Sequence, residues 1–523
     1  MINGMKNLTS SVYTFENLRK GDFLYVDKTA FLWELVRPSV GIYFLSRPRR
    51  FGKSLTLSTL KAVFQGKREL FQGLAIDKED YDWRPYPVIH LDMGDRKNDT
   101  PEALDRSLRV ILDENARNLG VTLTEEITQE AFRELIIKAS ATAPAVVLVD
   151  EYDKPILDNV GRPEVEALRE ALEGFYGVIK ATEPRQRFVF ITGVAKFTKV
   201  SVFSKLNHLT DVTMDGRFAA MLGYTQEELE ANFAEHIADA ARTQGIERGE
   251  LLARMRRWYN GYRFEEGAET VYNPVSVARF FSSGGKFDNY WFETGSPGIL
   301  FKLAKDDGFD FARDLAAPVN SLNFSQFDVG KLQPLPLLVQ TGYLTIQGAV
   351  DAPRGGRAYQ LGFPNYEVES AFETFLLDDY LPGVQPDPAL DRMFEALLAE
   401  DHEAFVEELN ALLGAIPWQL HIKREAYYHT VAFMAMRLVG LPATAEEPVH
   451  SGALDSGVAV GDRVYIFEFK LDRSAKEAVA QIRKKNYAAK YAAAAKQGKR
   501  VILFGVNFDS AKRQIDGWLA EPV

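Results

Sequence analysis

Ser46-Arg-Pro-Arg-Arg-Phe-Gly-Lys-Ser54 decides how the first half of this 523-residue chain is read. It follows a short apolar run, Gly41-Ile-Tyr-Phe-Leu45. It precedes a segment in which Leu55, Leu57, Leu60, Val63 and Phe64 recur at roughly helical spacing. Gly-Lys-Ser between a buried strand and a helix is the second half of a phosphate-binding loop. The backbone from Gly52 to Leu55 and the helix N-terminus attract phosphate, Lys53 reaches the β and γ phosphates, and the Ser54 hydroxyl coordinates Mg²⁺. The strict pattern has a glycine where Arg47 stands, so the tripeptide alone is a weak signal.

A second motif strengthens it. Ala145-Val-Val-Leu-Val-Asp150-Glu151 is an apolar run ending in two carboxylates. In phosphate-loop enzymes such a strand end places the first carboxylate at the Mg²⁺ and the second near the attacking water. A core strand with two solvated acids at its exit is the bland alternative for this motif alone. Pro87-Val-Ile-His-Leu91 and Phe188-Val-Phe-Ile191 are further strand candidates, and Thr192 ends the latter where a group sensing the γ-phosphate would lie. Buried strands separated by helical patterns predict βαβ units and a mostly parallel sheet. From Tyr224 the pattern turns helical, with Thr225-Gln-Glu-Glu228 as an N-terminal cap signal. Linker candidates lie at Leu381-Pro-Gly-Val-Gln-Pro-Asp-Pro388 and Leu441-Pro-Ala-Thr-Ala-Glu-Glu-Pro448. After the second, the order strand (458–460), turn (Gly461-Asp462), strand (464–469), helix (475–495), strand (501–506) describes an α/β module.

That module carries the second constellation, Asp455 and Glu468-Phe469-Lys470. Side chains two apart on a strand share a face, so Glu468 and Lys470 point the same way, and Asp455 could meet them from the adjacent strand across the turn. Two converging carboxylates bind Mg²⁺ or Mn²⁺, and a neighbouring Lys can orient the water that attacks a phosphodiester. The following helix carries Gln481 with Arg483, Lys484, Lys485 and Lys490 nearby, a basic surface suited to a polyanion. On Glu-x-Lys alone, a salt-bridged pair beside a solvated helix is the more frequent outcome.

Several of these strings together resemble a bacterial family of AAA-ATPase-like proteins joined to a C-terminal PD-(D/E)xK nuclease-like domain. They are Phe23-Leu-Tyr-Val-Asp-Lys-Thr29, Ser46–Ser54, Val149-Asp-Glu-Tyr-Asp-Lys-Pro155, Ile191-Thr-Gly-Val194 and Trp258-Tyr-Asn-Gly-Tyr-Arg263. The family's loop typically carries Arg-Pro-Arg-Arg-Phe in place of the first glycine. The resemblance implies Lys53 and Ser54 on phosphate and Mg²⁺, Asp150 on the metal and Glu151 as hydrolytic base. Arg49 and Arg50 would add charge at the phosphates, and Arg217 is a candidate arginine finger. The order Asp, Glu-x-Lys, Gln-x5-Tyr is similar to the nuclease core and implies Gln481 as a further site residue. Glu447, with Glu446 as the near alternative, would join Asp455 and Glu468 at the metal. The family commonly shows Gly-Arg-x-Asp where this chain reads Ser451-Gly-Ala-Leu-Asp455, so Ala453 replaces an Arg that contacts phosphate or orders the site. His429 matches a family-like position, although a packed histidine is the commoner reading.

Composition bounds these expectations. With no cysteine, disulfides, zinc fingers, iron–sulfur clusters and thiol nucleophiles are excluded. The N-terminal stretch lacks an apolar signal region and no run approaches 18 apolar residues, which predicts a cytoplasmic protein without membrane spans. The 62 basic and 73 acidic residues leave a net charge of −11. From His421 to Val523, however, 16 Lys and Arg face 11 Asp and Glu, so a basic module is attached to an acidic body. The expected organisation is a phosphate-loop α/β domain (1–222), a mainly helical lid or linker (223–410) and a restriction-endonuclease-like α/β domain (411–523). The expected cofactors are ATP and Mg²⁺, the expected partner a nucleic acid with DNA as first choice, and a homo-oligomer is compatible with the sequence. The leading function is an ATP-hydrolysing protein coupled to a Mg²⁺-dependent DNA-cleaving domain. The alternative is a nucleotide-switched scaffold whose inactive nuclease fold binds nucleic acid or protein.

Overall fold

The computed structural model describes residues 5–196, 206, 208–291, 318–320, 334–352, 355–414 except 381–386, 431–432, 435–436, 438–439, 457–496, 498–512 and 514–523. Four apolar runs of the first half form strands β1 (Gly41–Ser46), β2 (Val88–Asp92), β3 (Ala145–Asp150) and β4 (Gln186–Gly193), and β5 (Thr210–Asp211) adds a two-residue edge. The four expected strands are all present, with ends shifted by two residues at most. They pair in the order β2-β3-β4-β1-β5, and each pairing is parallel. Every residue of β3 is buried and all but one of β4, which is why they read as unbroken apolar runs rather than alternating ones.

Two helices precede these strands, α1 (Phe15–Lys20) and α2 (Thr29–Val36), and others connect them: α3 (Lys53–Phe64), α4 (Pro101–Leu119), α5 (Thr128–Ala139), α6 (Lys154–Leu157) and α7 (Val165–Ala181). The longest, α4, starts where the Thr100 side chain accepts from the Ala103 N–H with Pro101 in the first turn, and it buries Leu104, Leu108, Ile111 and Leu112. Strand β4 lies between β1 and β3, so the strand before the phosphate loop and the strand ending in Asp150 are not neighbours. Their carboxyl ends still share one edge, with Ser46 opposite Gly193 and Val149 opposite Ile191. A crevice at such a reversal of strand order is where open α/β sheets bind ligands.

Four helices follow, α8 (Gln226–Asn232), α9 (Ala234–Gln244), α10 (Arg248–Tyr259) and α11 (Pro274–Ser282). The cap signal at Thr225 is realised as a reciprocal capping box with Glu228. These helices share a core of Leu229, Phe233, Ile237, Leu251, Met255, Tyr259 and Phe280. Strands β6 (Val319–Asn320), β7 (Thr345–Asp351) and β8 (Arg357–Gly362) come next in the chain. Contacts divide the molecule into two units, the first comprising residues 1–293, 320–357 and 364–367, and the second the remainder.

The C-terminal part of the second unit holds a sheet of β9 (Gly457–Val460), β10 (Arg463–Leu471), β11 (Arg500–Asp509) and β12 (Gln514–Pro522), in the order β12-β11-β10-β9. The expected hairpin is present, with Val460 opposite Arg463 around Gly461-Asp462. Strands β10 and β11 run parallel, joined by a crossover that carries the helix Ala475–Lys484. Val464, Ile466, Val479, Ile482 and Leu503 pack as its core. The sequence pattern predicts one helix over 475–495. Instead it stops at Lys484, and Asn486 takes a left-handed conformation at φ 53°. A 3₁₀ turn, Tyr487–Tyr491, and a short helix, Ala492–Lys496, follow. Asn tolerates this conformation and so ends a helix that the alanines beyond it would otherwise continue. Strand β12 was not anticipated.

Candidate functional site

Helix α3 begins at Lys53, directly after Gly52 at φ 94°, with no side chain capping its first turn. Its free N–H groups and positive dipole end therefore face the loop, which is the physical basis of an anion site. Lys53 is buried, and its ammonium donates to the carbonyls of Arg47 at 3.0 Å and Pro48 at 2.9 Å. Burial lowers its pKa, against the opposing pull of Asp150, Asp153 and Glu151. The three carboxylates lie near the ammonium, yet its hydrogen bonds go to neutral carbonyls.

Asp150 ends β3 and is 3% exposed. Burial pushes its carboxyl up to about 6, and the hydrogen-bonded Ser54 and nearby Lys53 act in the opposite sense. Glu151 follows at φ 50°, a strained position for a side-chain-bearing residue and one that functional sites often hold. A methyl group added at Gly94 would lie 3.2 Å from Glu151 Oε2 and 3.0 Å from Asp92 Oδ1, so both carboxylates flank that glycine. Thr192 is fully buried at the end of β4, and its hydroxyl has no hydrogen-bond partner among the described residues. The sheet thus gathers Lys53, Ser54, Asp150, Glu151 and Thr192 at the carboxyl ends of β1, β3 and β4. Leu55 lies in the first turn of α3 and Arg49 and Arg50 are exposed on the loop, Arg50 at φ 68°.

Two residues at this site had no role assigned from sequence. Arg47, at the position of the missing glycine, is 1% exposed and donates to the carbonyls of Ser46 (2.9 Å), Thr213 (2.8 Å) and Phe218 (3.1 Å). Burial pulls its guanidinium down to about 9. Asp153 is equally buried, raised to about 6 by burial, and accepts from the Val194 N–H at 2.9 Å and the Ala195 N–H at 2.5 Å. It ties the exit of β3 to the exit of β4. The signal was present in the quoted Asp-Glu-Tyr-Asp string, but nothing in the string says that the second Asp turns inward. Arg217, the candidate finger, is exposed and paired with Asp215 at 2.6 Å.

In the second unit, Glu468 on β10 is 5% exposed. Lys470 donates to Glu468 Oε1 and to Gln481 Oε1, each at 2.7 Å, and the Gln481 amide donates to the same Glu468 oxygen. The two-residue periodicity of the strand and the helix beside it bring together three residues that the sequence reading grouped. The helix can come this close because residue 505, opposite Glu468 on β11, is glycine; a methyl there would lie 2.4 Å from the Ala475 carbonyl oxygen. Asp455, Glu446, Glu447, Ala453 and His429 lie outside the described residues. Among the described residues no group of three His, Asp or Glu is arranged to hold a metal, and no helix is long and apolar enough to cross a membrane.

The donor sets differ in how well they fit the expected cofactors. At the phosphate loop, an uncapped helix start, a buried ammonium on neutral carbonyls and a Ser–Asp pair suit a nucleotide phosphate with Mg²⁺. At Glu468 the described set is one carboxylate.

Two family models match this chain, one toward each end. Residues 10–203 match the family model of predicted AAA-ATPases, and residues 423–518 match that of the PD-(D/E)XK nuclease superfamily. A protein of Azotobacter chroococcum mcd 1, described as "Uncharacterized protein in vnfD 5'region", is 37% identical over 532 residues, which is 99% of each chain. Among solved structures, the ORC2 protein of Aeropyrum pernix, in ADPNP–ADP complexes, aligns with 72% of this chain and 95% of its own. Its identity is 12% and its TM-score 0.27. With both domain models matched in order and a relative alike from end to end, this chain belongs to the family of AAA-ATPase-like proteins that carry a C-terminal PD-(D/E)XK nuclease-superfamily domain.

Proposed function

We propose that the first unit binds and hydrolyses ATP and that the C-terminal domain cleaves a nucleic acid, DNA as first choice, in a Mg²⁺-dependent reaction. The observation that carries the first half is the convergence of Lys53, Ser54 and Asp150 at one sheet edge beside an uncapped helix. Lys53 and the backbone from Gly52 to Leu55 bind the phosphates, with Arg49 and Arg50 adding charge at the rim. Ser54 and Asp150 hold Mg²⁺, which when bound supplies charge neutralisation at the phosphates. Glu151 takes the proton from the attacking water, and Thr192 offers its hydroxyl toward the terminal phosphate. The helices from Tyr224 onward act as the lid in the three-part division 1–222, 223–410 and 411–523.

In the C-terminal domain Glu468, with Asp455 and Glu447, is proposed to hold Mg²⁺, Lys470 to orient the water, and Gln481 to hold Lys470 in place. One observation favours the second reading there. Glu468, Lys470 and Gln481 bond to one another, and a network already satisfied in this way suits a scaffold as well as a resting enzyme. The test measures phosphate release and nicking of supercoiled plasmid, with Mg²⁺ and with or without ATP, for wild type, Lys53→Ala and Glu468→Ala. Lys53→Ala should lose phosphate release and Glu468→Ala should lose only nicking. Nicking that persists in Glu468→Ala would sink the nuclease assignment. DNA binding without cleavage in wild type would establish the scaffold.

A further inference from the structure

The segment Trp258-Tyr-Asn-Gly-Tyr-Arg-Phe264 reaches the back of the phosphate loop from some 200 residues further along the chain. Phe51, 1% exposed, has its ring edge-on to Tyr262 at 4.7 Å and to Phe264 at 5.4 Å. The Arg47 guanidinium lies over the Phe264 ring, 4.1 Å from its centre. The segment is itself held firmly. Gly261, at φ 113°, passes so close to Pro364 that an added methyl would sit 1.7 Å from its carbonyl oxygen, so only glycine fits. The Arg263 N–H donates to Thr345 Oγ1 at 2.8 Å, that hydroxyl donates back to the Arg263 carbonyl at 3.0 Å, and the Arg263 guanidinium donates to the Gln347 carbonyl at 3.0 Å.

We propose that Phe264 and Arg47 are positioning residues for nucleotide binding, the aromatic knuckle at 262–264 serving as the backstop that fixes the path of the loop. The inference rests on the nucleotide reading given above. Its chemistry is a short chain of contacts. Phe264 holds the Arg47 guanidinium, whose fork grips three carbonyls and so fixes its own backbone. The Arg47 and Pro48 carbonyls in turn hold the Lys53 ammonium. A residue that shapes the loop serves the bound nucleotide before and during reaction alike, so its loss should weaken binding and leave saturated turnover unchanged. Arg47 thereby supplies by anchoring what a glycine supplies by flexibility, which accounts for a loop without the first glycine.

The experiment titrates full-length protein with a fluorescent ATP analogue in Mg²⁺ and measures phosphate release at saturation, beside a melting curve without nucleotide. Phe264→Leu should raise the Kd about tenfold with kcat within about twofold of wild type, and Phe264→Tyr should restore the affinity. Arg47→Lys should weaken binding by a similar factor, since a point charge cannot grip three carbonyls. Phe264→Leu that is folded and binds as wild type does, or that loses kcat at unchanged affinity, overturns the inference while leaving the nucleotide reading intact. Wild type that binds no nucleotide sinks that reading and this inference with it.

Discussion

The two candidate sites differ in how far their residues are drawn together and in what bonding they leave unmet. Lys53, at the start of α3, and Asp150 and Thr192, at the ends of β3 and β4, span some 140 residues of chain. Glu468, Lys470 and Gln481 lie within 14 residues, on one strand and the helix after it. Among the described residues the first site holds a buried hydroxyl without a partner, a helix start without a side-chain cap and a carboxyl that burial raises to about 6. In the second, each described group bonds to the others. Unmet capacity in a buried place costs stability and is retained where a ligand will meet it. By that measure the first site is built for an occupant, whereas the second also makes sense without one.

The largest expected effect sharpens the first half of this contrast. Glu151→Gln keeps the side chain's shape and removes its basicity, so phosphate release should fall about 10³-fold with nucleotide affinity little changed. Steady-state kinetics with an equilibrium titration would check both. A Glu151→Gln protein that turns over normally would place the proton acceptor elsewhere, with Asp92 beside Gly94 the next residue to change. The corresponding change at the second site is Gln481→Ala. It releases one of the two bonds on Lys470, and in an active nuclease it should lower cleavage about tenfold, a smaller loss than removing Glu468. If no variant cleaves and Gln481→Ala changes only DNA affinity, the closed network is the finished structure of a binding module.

A thermodynamic prediction separates the sites without any substrate. The folded-state value for Asp150, about 6, lies above the 3.8 of an unperturbed aspartate, so the fold binds a proton more readily than the unfolded chain. Burying this charge therefore costs stability at pH 7.5, and that cost fades as the pH falls from about 6 toward 4. Asp150→Asn should stabilise the metal-free protein in EDTA by about 3 kcal/mol at pH 7.5, and by less than about 1 kcal/mol near pH 4. Denaturant melts at the two pH values would show it. A protein destabilised at both would mean that the carboxylate is structurally required rather than held ready for a cation.

The sheet and the outline of both sites were legible because they rest on local rules. An apolar run ending in Asp-Glu reads as a buried strand, and Glu-x-Lys reads as one face of a strand. What escaped was the orientation of charged side chains. Arg47 and Asp153 are almost fully buried, a rare fate for such residues, and only the packing of distant segments such as Phe264 and Val194 determines it. Strand β12, Gln514-Ile-Asp-Gly-Trp-Leu-Ala-Glu-Pro522, was missed for the opposite reason. It is an edge strand whose Gly, Pro and acids blunt the pattern.

The smallest prediction concerns the break that shortened the basic helix. Asn486 sits at φ 53°, a conformation that glycine accepts freely and alanine resists. Asn486→Gly should change stability by less than about 0.5 kcal/mol, whereas Asn486→Ala should cost about 1 kcal/mol. The comparison bears on function because Gln481 lies one turn before this break and Lys470 depends on Gln481 for one of its bonds. If Asn486→Ala instead stabilised the protein, the alanines beyond 486 would be extending the helix as the sequence pattern suggests. The left-handed turn would then be dispensable to the Glu468 site, and the helix propensity of Tyr487 to Ala495 would outweigh the cap.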